Sequence, residues 1–349
     1  MPQKTLTTNR EILIQCNSVW KLYGINAGAI AAKHHHEITS ELLRRKGVIS
    51  AARDVTFNIY KGEVFVIMGL SGSGKSTMLR CMTGLSTPTL GSLKVSGIDL
   101  KTASPKTLND IRRHTMGMVF QSFALLPHLT VLENIAFPLR VQGVPKAERL
   151  AQARKMMELV GLSGRETHWP HELSGGQQQR VGIARSLTTD PEVWFLDEPF
   201  SALDPLIRLE MQNEFLRLQS MLHKSIVFVT HDFDEAVRLA DRIAIMEGGR
   251  VVQIGTPEEL ITNPANDYVA EFTGKIPRSK VVKVRTIMGA AASGLQGRPI
   301  DESSLVADIA EQVLTAGAPV PVQNKDGQIV GALDARKVAA VLLNKDMAA

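Results

Sequence analysis

A glycine-rich segment in the first quarter of the chain has the residue types and spacing that bind phosphate groups. Residues 69–77 read GLSGSGKST and match the pattern G-x-x-x-x-G-K-[ST] between a hydrophobic run and a predicted helix. Glycines allow successive backbone N–H groups to curve around phosphate oxygens. Lys75 adds a positive charge, Ser76 offers a hydroxyl to Mg²⁺, and Thr77 leads into the helix. The predicted phosphate-binding residues are Gly69, Leu70, Ser71, Gly72, Ser73, Gly74, Lys75, Ser76 and Thr77.

A pair of acids follows a second hydrophobic segment, VWFLDE at residues 193–198. A buried strand there would deliver Asp197 to the carboxyl edge of a sheet, where open α/β sheets bind ligands. We expect Asp197 to hold Mg²⁺ directly or through water, and Glu198 to act as general base for an attacking water. Two acids after a strand are also typical of a helix N-cap, but Pro199 favours a loop.

A second glycine turn, ELSGGQQQR at residues 172–180, leads into another predicted helix. Ser174 and Gln177 have the spacing of a capping box, which explains how the helix begins. The two glycines between them cost roughly 1 kcal/mol each relative to alanine inside a helix, so they indicate a close backbone approach to another group. Because helix N-termini bind anions and residues 69–77 already serve this chain, we expect the second turn to serve a neighbouring molecule.

A histidine ends the hydrophobic segment that precedes Asp232. His231 directly follows SIVFVT at residues 225–230, the place where a sensor of the terminal phosphate would lie. A lone histidine is more often structural, so the sequence leaves both roles open.

Alternating hydrophobic and helical segments must position these residues. Five runs predict buried parallel strands: 62–69, 116–120, 192–198, 225–230 and 242–246. Helical stretches separate them, which predicts an α/β fold with a mainly parallel sheet. A further strand is expected at 11–23, and a helical subdomain at about 125–189.

The flanks of this core predict an insertion, a linker and a small tail. The predicted phosphate-binding domain spans residues 1–273, with an insertion at about 24–52 and a short helix that Gly47 ends. Within the insertion, His34–His36 could bind a metal, begin a polar helix or belong to an expression tag. Residues 274–299 read as a linker, and 300–349 as a small α/β tail.

Composition limits the class of protein. The chain has 349 residues, of which 44% are hydrophobic and 21% charged, as in an ordinary soluble protein of two domains. Apolar runs stay well short of the roughly 20 residues that span a bilayer, and no signal peptide is evident. The two cysteines suggest no pairing framework, which favours the cytoplasm.

The net charge of +5 is carried by the two flanks. Residues 1–50 hold seven Lys and Arg against three Asp and Glu, and residues 275–349 hold ten against seven. Because the excess of basic residues lies outside the core, the core does not resemble a nucleic-acid-binding surface. The basic flanks could meet an anionic membrane or be ordinary solvated segments.

The ordered motifs resemble the nucleotide-binding subunit of ABC transporters over residues 11–273. Residues 69–77 look like Walker A, VWFLDE like Walker B with its glutamate, and LSGGQ like the signature. The remaining matches are Gln121 in VFQS as the Q-loop, Asp204 in SALD as the D-loop, His231 as the switch histidine and Tyr23 as the aromatic that stacks on adenine. For Tyr23, packing at the strand end beside Trp20 is the alternative.

This resemblance implies a P-loop NTPase core that binds Mg-ATP in a head-to-tail homodimer with two composite sites. It assigns catalysis to Glu198, His231 and Gln121, and Mg²⁺ binding to Ser76, Gln121 and Asp197. The signature residues expected to serve the partner's site are Leu173, Ser174, Gly175, Gly176 and Gln177, and of these Ser174 and Gly176 would contact the γ-phosphate bound by Lys75 of the partner.

Further matches point to the subfamily that imports glycine betaine, choline or proline. They are MGLSGSGKST, MVFQSFALLPHLTVLENIAFP, FSALDPLIRLEMQ and the insertion after Tyr23; the tail segment PVPVQNKDGQIVGAL resembles part of a CBS domain. The implied partners are integral-membrane permease subunits and an extracytoplasmic solute-binding protein, with the ATPase at the cytoplasmic face of the membrane and no nucleic acid. We expect the permease in a groove beside Gln121 lined by Phe123, Leu125 and Leu126, although these three could equally be core.

Two alternatives remain at this stage. The chain could serve a related importer, for example of histidine. It could instead be a soluble ABC ATPase acting on DNA or ribosomes, but the 51 residues between Gln121 and Leu173 contain no sustained heptads, and the chain carries a single set of motifs.

Overall fold

The computed structural model describes residues 10–33, 38–291, 295 and 297–343, so His34–His36 lie outside the described residues. The chain forms two compact units, Met1–Val252 and Gln253–Ala349. The end of one strand and two short helices lie between this division, after residue 252, and the predicted domain boundary at 273. The boundary at 273 stays a prediction. Within the described residues, no helix is long and apolar enough to cross a membrane.

Thirteen strands are described, numbered here in chain order. They are β1 (Ile12–Tyr23), β2 (Ile49–Tyr60), β3 (Val64–Met68), β4 (Leu90–Val95), β5 (Ile98–Asp99), β6 (Met116–Val119), β7 (Val193–Asp197), β8 (Ser225–Thr230), β9 (Arg242–Glu247), β10 (Arg250–Gly255), β11 (Ile300–Asp301), β12 (Val320–Gln323) and β13 (Ile329–Leu333).

Fourteen α-helices are described, and short 3₁₀ turns lie at Pro170–Glu172 and Arg278–Lys280. The helices are α1 (Ala27–Lys33), α2 (Ser40–Arg45), α3 (Lys75–Met82), α4 (Pro105–His114), α5 (Val131–Val141), α6 (Lys146–Leu159), α7 (Gly175–Leu187), α8 (Pro205–Leu222), α9 (Phe233–Leu239), α10 (Pro257–Thr262), α11 (Asp267–Thr273), α12 (Val284–Ile287), α13 (Val306–Thr315) and α14 (Ala335–Leu342).

The main sheet has the strand order β10-β9-β3-β8-β7-β6. Strand β3 pairs in parallel with β8 and β9, and β7 pairs in parallel with β6 and β8. The strands β3 and β8 are buried along their whole length, which explains why the sequence shows continuous hydrophobic runs there instead of alternation. The predicted α/β fold with a mainly parallel sheet is confirmed, and all five predicted core strands are present.

Aromatic side chains fix the position of α7 and α8 against this sheet. Trp194 on β7 stacks on Phe215 of α8 with ring centroids 5.5 Å apart, and its indole N–H donates to Ser186 Oγ of α7 at 2.8 Å. Phe200, in the loop after β7, packs edge-on to Phe215. The loop that follows the predicted acids is therefore anchored by its own buried aromatic residue.

A second sheet, in the order β2-β1-β4-β5, is built from antiparallel pairs. The insertion connects β1 to β2 and contains α1, which the sequence did not predict, and α2, whose N-cap is Thr39. Its buried side chains Ala31 and Leu43 belong to one hydrophobic cluster with Leu22, Val48 and Leu90.

The second unit has its own three-stranded sheet, with β11 parallel to β12 and β12 antiparallel to β13. Buried Val, Ile and Leu side chains from α12–α14 and these strands form one core cluster. The predicted strand–turn–strand–helix of the tail is thus present, and its identity as part of a CBS domain stays a prediction.

Candidate functional site

The loop between β3 and α3 holds its backbone in a form that only glycine tolerates. Gly69 has φ of 152° and Gly74 has φ of 102°. A Cβ atom on Gly74 would lie 2.2 Å from the carbonyl oxygen of Ala51, and one on Gly69 would lie 2.2 Å from that of Met246. The loop is therefore pressed between β2 and the end of β9, so its shape is set before any ligand arrives.

Lys75 is the first residue of α3 and is only 6% exposed. Its ammonium group donates to the carbonyl oxygens of Gly69 and Leu70 at 2.8 and 3.2 Å, and lies 4.0 Å from Glu198 Oε1. Burial lowers the pKa of Lys75, while Glu198 and Asp197 raise it. In the described chain, the buried hydroxyl of Ser73 has no hydrogen-bond partner. A buried cation, an orphan hydroxyl and glycine-only backbone together fit a nucleotide phosphate chain.

Asp197 ends β7, and its Oδ1 accepts a hydrogen bond from Ser76 Oγ at 3.3 Å. Burial raises the pKa of Asp197, and the neighbouring carboxylate of Glu198 adds to that rise. A carboxylate and a hydroxyl at this distance suit Mg²⁺, which takes one or two protein oxygen ligands beside substrate phosphates. A bound cation would also relieve the cost of ionising Asp197 in this half-buried place.

Glu198 lies between two cationic or polar partners. Its Oε2 is 3.1 Å from His231 Nδ1, and its Oε1 is 4.0 Å from Lys75 Nζ. The backbone has φ of 44°, an uncommon value outside glycine, and its N–H donates to the carbonyl of Val229 on β8. Glu198 is not a helix cap, since Asp204 caps the next helix, α8. The alternative interpretation of the two acids as an N-cap is therefore wrong.

Gln121 reaches this cluster through a residue that the sequence analysis missed. Gln121 Nε2 donates to Ser201 Oγ at 3.3 Å, and Ser201 Oγ donates to the carbonyl of Glu198 at 2.9 Å. Ser201 opens the SALD segment and lies 80 residues after Gln121, so only the fold shows this bridge. Gln121, Glu198, His231, Lys75, Ser76 and Asp197 thus form one connected cluster at the carboxyl edge of the main sheet.

The loop after Gln121 is held open by an arginine on α7. Phe123 and Ala124 both have positive φ, at 58° and 48°. The Arg185 guanidinium donates to their carbonyl oxygens at 3.0 and 2.7 Å, and burial lowers the pKa of Arg185. Two consecutive left-handed residues cost of order 1–3 kcal/mol each, which these charge-assisted hydrogen bonds offset.

A largely apolar cavity of about 400 Å³ lies beside this loop. Leu126 lines it as expected, but the predicted lining residues Phe123 and Leu125 do not. Phe123 and Leu125 are instead partly buried at and next to the left-handed turn at 123–124. The observed apolar lining comes from Met116, Met118, Phe120, Ala124, Leu126, Phe137, Pro138 and Val141.

The second glycine turn is an ordinary helix start that faces outward. Ser174 Oγ accepts from Gln177 N and Gln177 Oε1 accepts from Ser174 N, so the predicted capping box is confirmed. Leu173 before it is buried, and Gly175 is exposed. A Cβ on Gly175 would meet only Leu203 at 3.7 Å, whereas one on Gly176 would lie 2.8 Å from Ile207 Cγ2.

We expected both glycines to be explained by a neighbouring molecule. For Gly176 this expectation is wrong, because its own chain also requires glycine there. The close approach of α8 at Ile207 excludes a side chain at Gly176. Gly175 has no such neighbour and remains the position best explained by something outside this chain.

Tyr23 is the exposed last residue of β1, directly opposite Ile49 on β2. Ile49 is 69% exposed, and it lies two residues before Ala51, whose carbonyl touches the loop at Gly74. Two strand residues span about 7 Å, which is about the length of a ribose. Ile49 therefore lies about one ribose length from the loop that would hold the phosphates. Lys21 Nζ lies 5.0 Å from the centre of the Tyr23 ring, so a cation occupies one ring face.

Comparisons with known proteins agree with this geometry. The family model for ABC transporters matches residues 52–201. The chain is 48% identical over 335 residues to the trimethylamine N-oxide transport system ATP-binding protein TmoW of Pelagibacter ubique, covering 96% of this chain and 98% of that protein. It is 46% identical over 280 residues to the glycine betaine transport ATP-binding protein OpuAA of Bacillus subtilis, covering 80% and 67%.

Among solved structures, the chain resembles the dimeric ATP-binding cassette MJ0796 in a post-hydrolysis state bound to ADP and Pi. The TM-score is 0.59 at 33% sequence identity, and the match covers 70% of this chain and 98% of that one. The solved structure with the same fold is thus a dimer of two cassettes that binds nucleotide.

Proposed function

Because this chain belongs to the family of ABC transporter ATP-binding subunits, we propose that it is the energy-coupling ATPase of an importer for a small solute with a methylated nitrogen. The observation that carries the proposal is the cluster of Lys75, Asp197, Glu198 and His231 at one sheet edge, beside a phosphate-binding loop. Hydrolysis of ATP there would drive uptake through separate membrane subunits.

The solute class is inferred from relatives that align over nearly the whole chain. Two trimethylamine N-oxide transport ATP-binding proteins, from Pelagibacter ubique and Ruegeria pomeroyi, match 96% and 95% of this chain. The glycine betaine relatives match about four fifths of it. We therefore place trimethylamine N-oxide first and glycine betaine second, an order that the motifs alone did not predict.

Each residue of the cluster has one proposed task. The N–H groups of residues 69–77 and the Lys75 ammonium hold the phosphates, while Ser76, Gln121 and Asp197 hold Mg²⁺. A bound Mg²⁺ supplies positive charge that neutralises the phosphate oxygens. Glu198 takes a proton from the attacking water. His231 Nδ1, which lies 3.1 Å from Glu198 Oε2, orients the Glu198 carboxylate toward that water.

A homodimer supplies the second half of each site. The capping box uses the N–H groups of Ser174 and Gln177. The N–H groups of Gly175 and Gly176 therefore remain at the exposed start of α7, where an anion of another molecule is favoured. Gly175 permits that approach without disturbing its own chain. Asp204 caps α8 close to the same region, since Leu203 is the neighbour of Gly175.

The apolar cavity beside Gln121 is the proposed docking place for the permease. Its wall includes Arg185, which fixes the loop that carries Gln121. The ATPase would thereby attach peripherally at the cytoplasmic face of the membrane, with a solute-binding protein reached only through the complex.

The test is ATP hydrolysis by the complex of this chain with its membrane subunits, reconstituted in liposomes with the solute-binding protein. Trimethylamine N-oxide should stimulate hydrolysis more than glycine betaine or histidine at equal concentration. Glu198→Gln should lower turnover at least 100-fold while ATP binding is kept. Turnover near the wild-type value in that variant, or purification of the chain with nucleic acid instead of membrane subunits, would contradict the proposal.

A further inference from the structure

A buried hydrogen-bond network lies beneath the turn that carries His231. Glu235 is 5% exposed, and Thr230 and Gln212 are also buried. The Thr230 hydroxyl donates to Glu235 Oε2 at 2.7 Å, and the Gln212 amide donates to Glu235 Oε1 at 3.3 Å. Both oxygens accept a hydrogen bond, so the bonds from Thr230 and Gln212 oppose the rise in the pKa of Glu235 that burial causes.

On one side this network fixes the His231 turn. Thr230 Oγ1 directs its proton to Glu235 and accepts the backbone N–H of Asp232 at 3.0 Å. Thr230 and Asp232 are the two neighbours of His231, so the carboxylate sets the backbone on both sides of the histidine. Glu235 also lines the same small cavity as Glu198 and His231.

On the other side the network reaches α8. Gln212 Oε1 accepts from Arg238 at 3.2 Å, and Arg238 also donates to Asn213 Oδ1 at 2.5 Å. The two ends of the Gln212 amide are therefore both assigned: its nitrogen must face Glu235 and its oxygen must face Arg238. The helix that carries Gln212 begins at Pro205 and is capped by Asp204, at the end proposed to face the partner chain.

We propose that Glu235 is a positioning residue for hydrolysis, which couples helix α8 to the turn that places His231 against Glu198. The inference rests on the proposed function, because it assigns His231 and Glu198 to ATP hydrolysis. It adds a route by which a shift at the partner-facing end of α8 alters the position of His231.

The chemistry of the network gives a sharp pair of variants. In Glu235→Gln, the new amide N–H₂ group faces either the N–H₂ of Gln212 or the Thr230 hydroxyl, which then loses the acceptor for its own proton. Turning Gln212 over only moves the clash to Arg238. In the double variant Glu235→Gln with Gln212→Glu, the carboxylate at 212 accepts from Arg238 and from Gln at 235, whose oxygen still accepts from Thr230. Every hydrogen bond is kept, and the negative charge moves by one side chain.

The experiment measures kcat and KM for ATP in the assembled complex, with thermal unfolding of each variant. Glu235→Gln should lower kcat about 10-fold, a 1.4 kcal/mol change, with KM within about twofold because no phosphate contact is altered. The double variant should recover kcat to within about threefold of wild type.

Several outcomes would overturn the idea. One is an unchanged kcat in folded Glu235→Gln. Another is a kcat in the folded double variant as low as in the single variant. The third is a rise in KM that accounts for the whole loss of kcat/KM in Glu235→Gln. If Glu235→Gln does not fold, the folded double variant decides by its kcat alone. Glu198-dependent hydrolysis by the wild type tests the proposed function separately, so the two failures can be told apart.

Discussion

The two glycine turns of this chain, residues 69–74 and 173–176, differ in what holds their backbone. The first has positive φ and no space for a Cβ atom at Gly69 and Gly74, and it is followed by a buried lysine. The second is a helix start with a standard capping box, and its Gly175 is open to solvent. Backbone strain is therefore concentrated in the turn that precedes the buried lysine, whereas the turn that we propose to face a partner chain has ordinary helix-start geometry.

The largest expected effect separates binding from hydrolysis. Gly175→Asp places a carboxylate where the partner's phosphate would approach, and we expect at least a 100-fold loss of ATP turnover. Affinity for ATP should stay within about twofold, because the first turn is untouched. In contrast, Lys75→Ala should weaken ATP binding about 100-fold through loss of charge-assisted hydrogen bonds. Isothermal titration and phosphate release measure the two quantities.

Gly28→Asp is the matched control for Gly175→Asp. Gly28 also lies in the first turn of a helix, with open space around its Cβ position. The ATP turnover of Gly28→Asp should equal that of wild type. Parallel loss of ATP affinity and turnover in Gly175→Asp would make the second turn purely structural. Gly176→Asp is a weaker probe, because its side chain would also collide with Ile207.

The next comparison concerns stability. Gly74→Ala forces an alanine into φ of 102° against the Ala51 carbonyl, and it should lower the free energy of unfolding by more than about 2 kcal/mol. Gly175→Ala fits a helical position and should change it by less than about 1 kcal/mol, in the stabilising direction. Chemical unfolding of the nucleotide-free protein measures both, and equal losses would remove the distinction between the two turns.

The smallest effect is a gain in stability within the first site. Burial raises the pKa of Asp197, so the native state holds the proton more tightly than the unfolded chain. The contribution of Asp197 to stability is present below its ordinary pKa of about 3.9 and is lost as the pH rises through the raised native pKa.

Asp197→Asn removes the cost of that charge. At pH 7.5 the variant should melt about 2 to 4 °C higher, the shift that roughly 1 kcal/mol gives in a domain of this size, and the gap should narrow toward pH 4. Calorimetry without Mg²⁺ measures it. A lower melting temperature at pH 7.5 would show that the carboxylate stabilises the empty site.

The core of the fold was predictable because its strands are buried on both faces and read as continuous apolar runs, as Val64–Met68 and Ser225–Thr230 do. The edge strand Arg250–Gly255 and the insertion helix Ala27–Lys33 were missed. Neither has such a run: residues 251–254 of the strand are half-buried, and the helix buries only two alanines. Local sequence carries little signal where few side chains enter the core.

Within the site, the sequence identified the residues of each motif but not the contacts that join distant segments. Ser201 bridging Gln121 to Glu198 and Ile207 approaching Gly176 depend on how α8 lies against α7. The same is true of Arg185, which holds the loop at 123–124. Such pairs are decided by tertiary packing, and no spacing rule within one segment reports them.

The insertion leaves and re-enters the second sheet at residues that are paired with each other, Tyr23 and Ile49. Lengthening a two-residue hairpin to the 25 residues between them costs only about 2 kcal/mol of closure entropy, and burial of Leu43 alone returns a similar amount. The insertion is therefore a nearly neutral addition to a hairpin end. A short Asn-Gly turn should close the same pair of strands, which makes this segment a natural place to graft a reporter or a recognition loop.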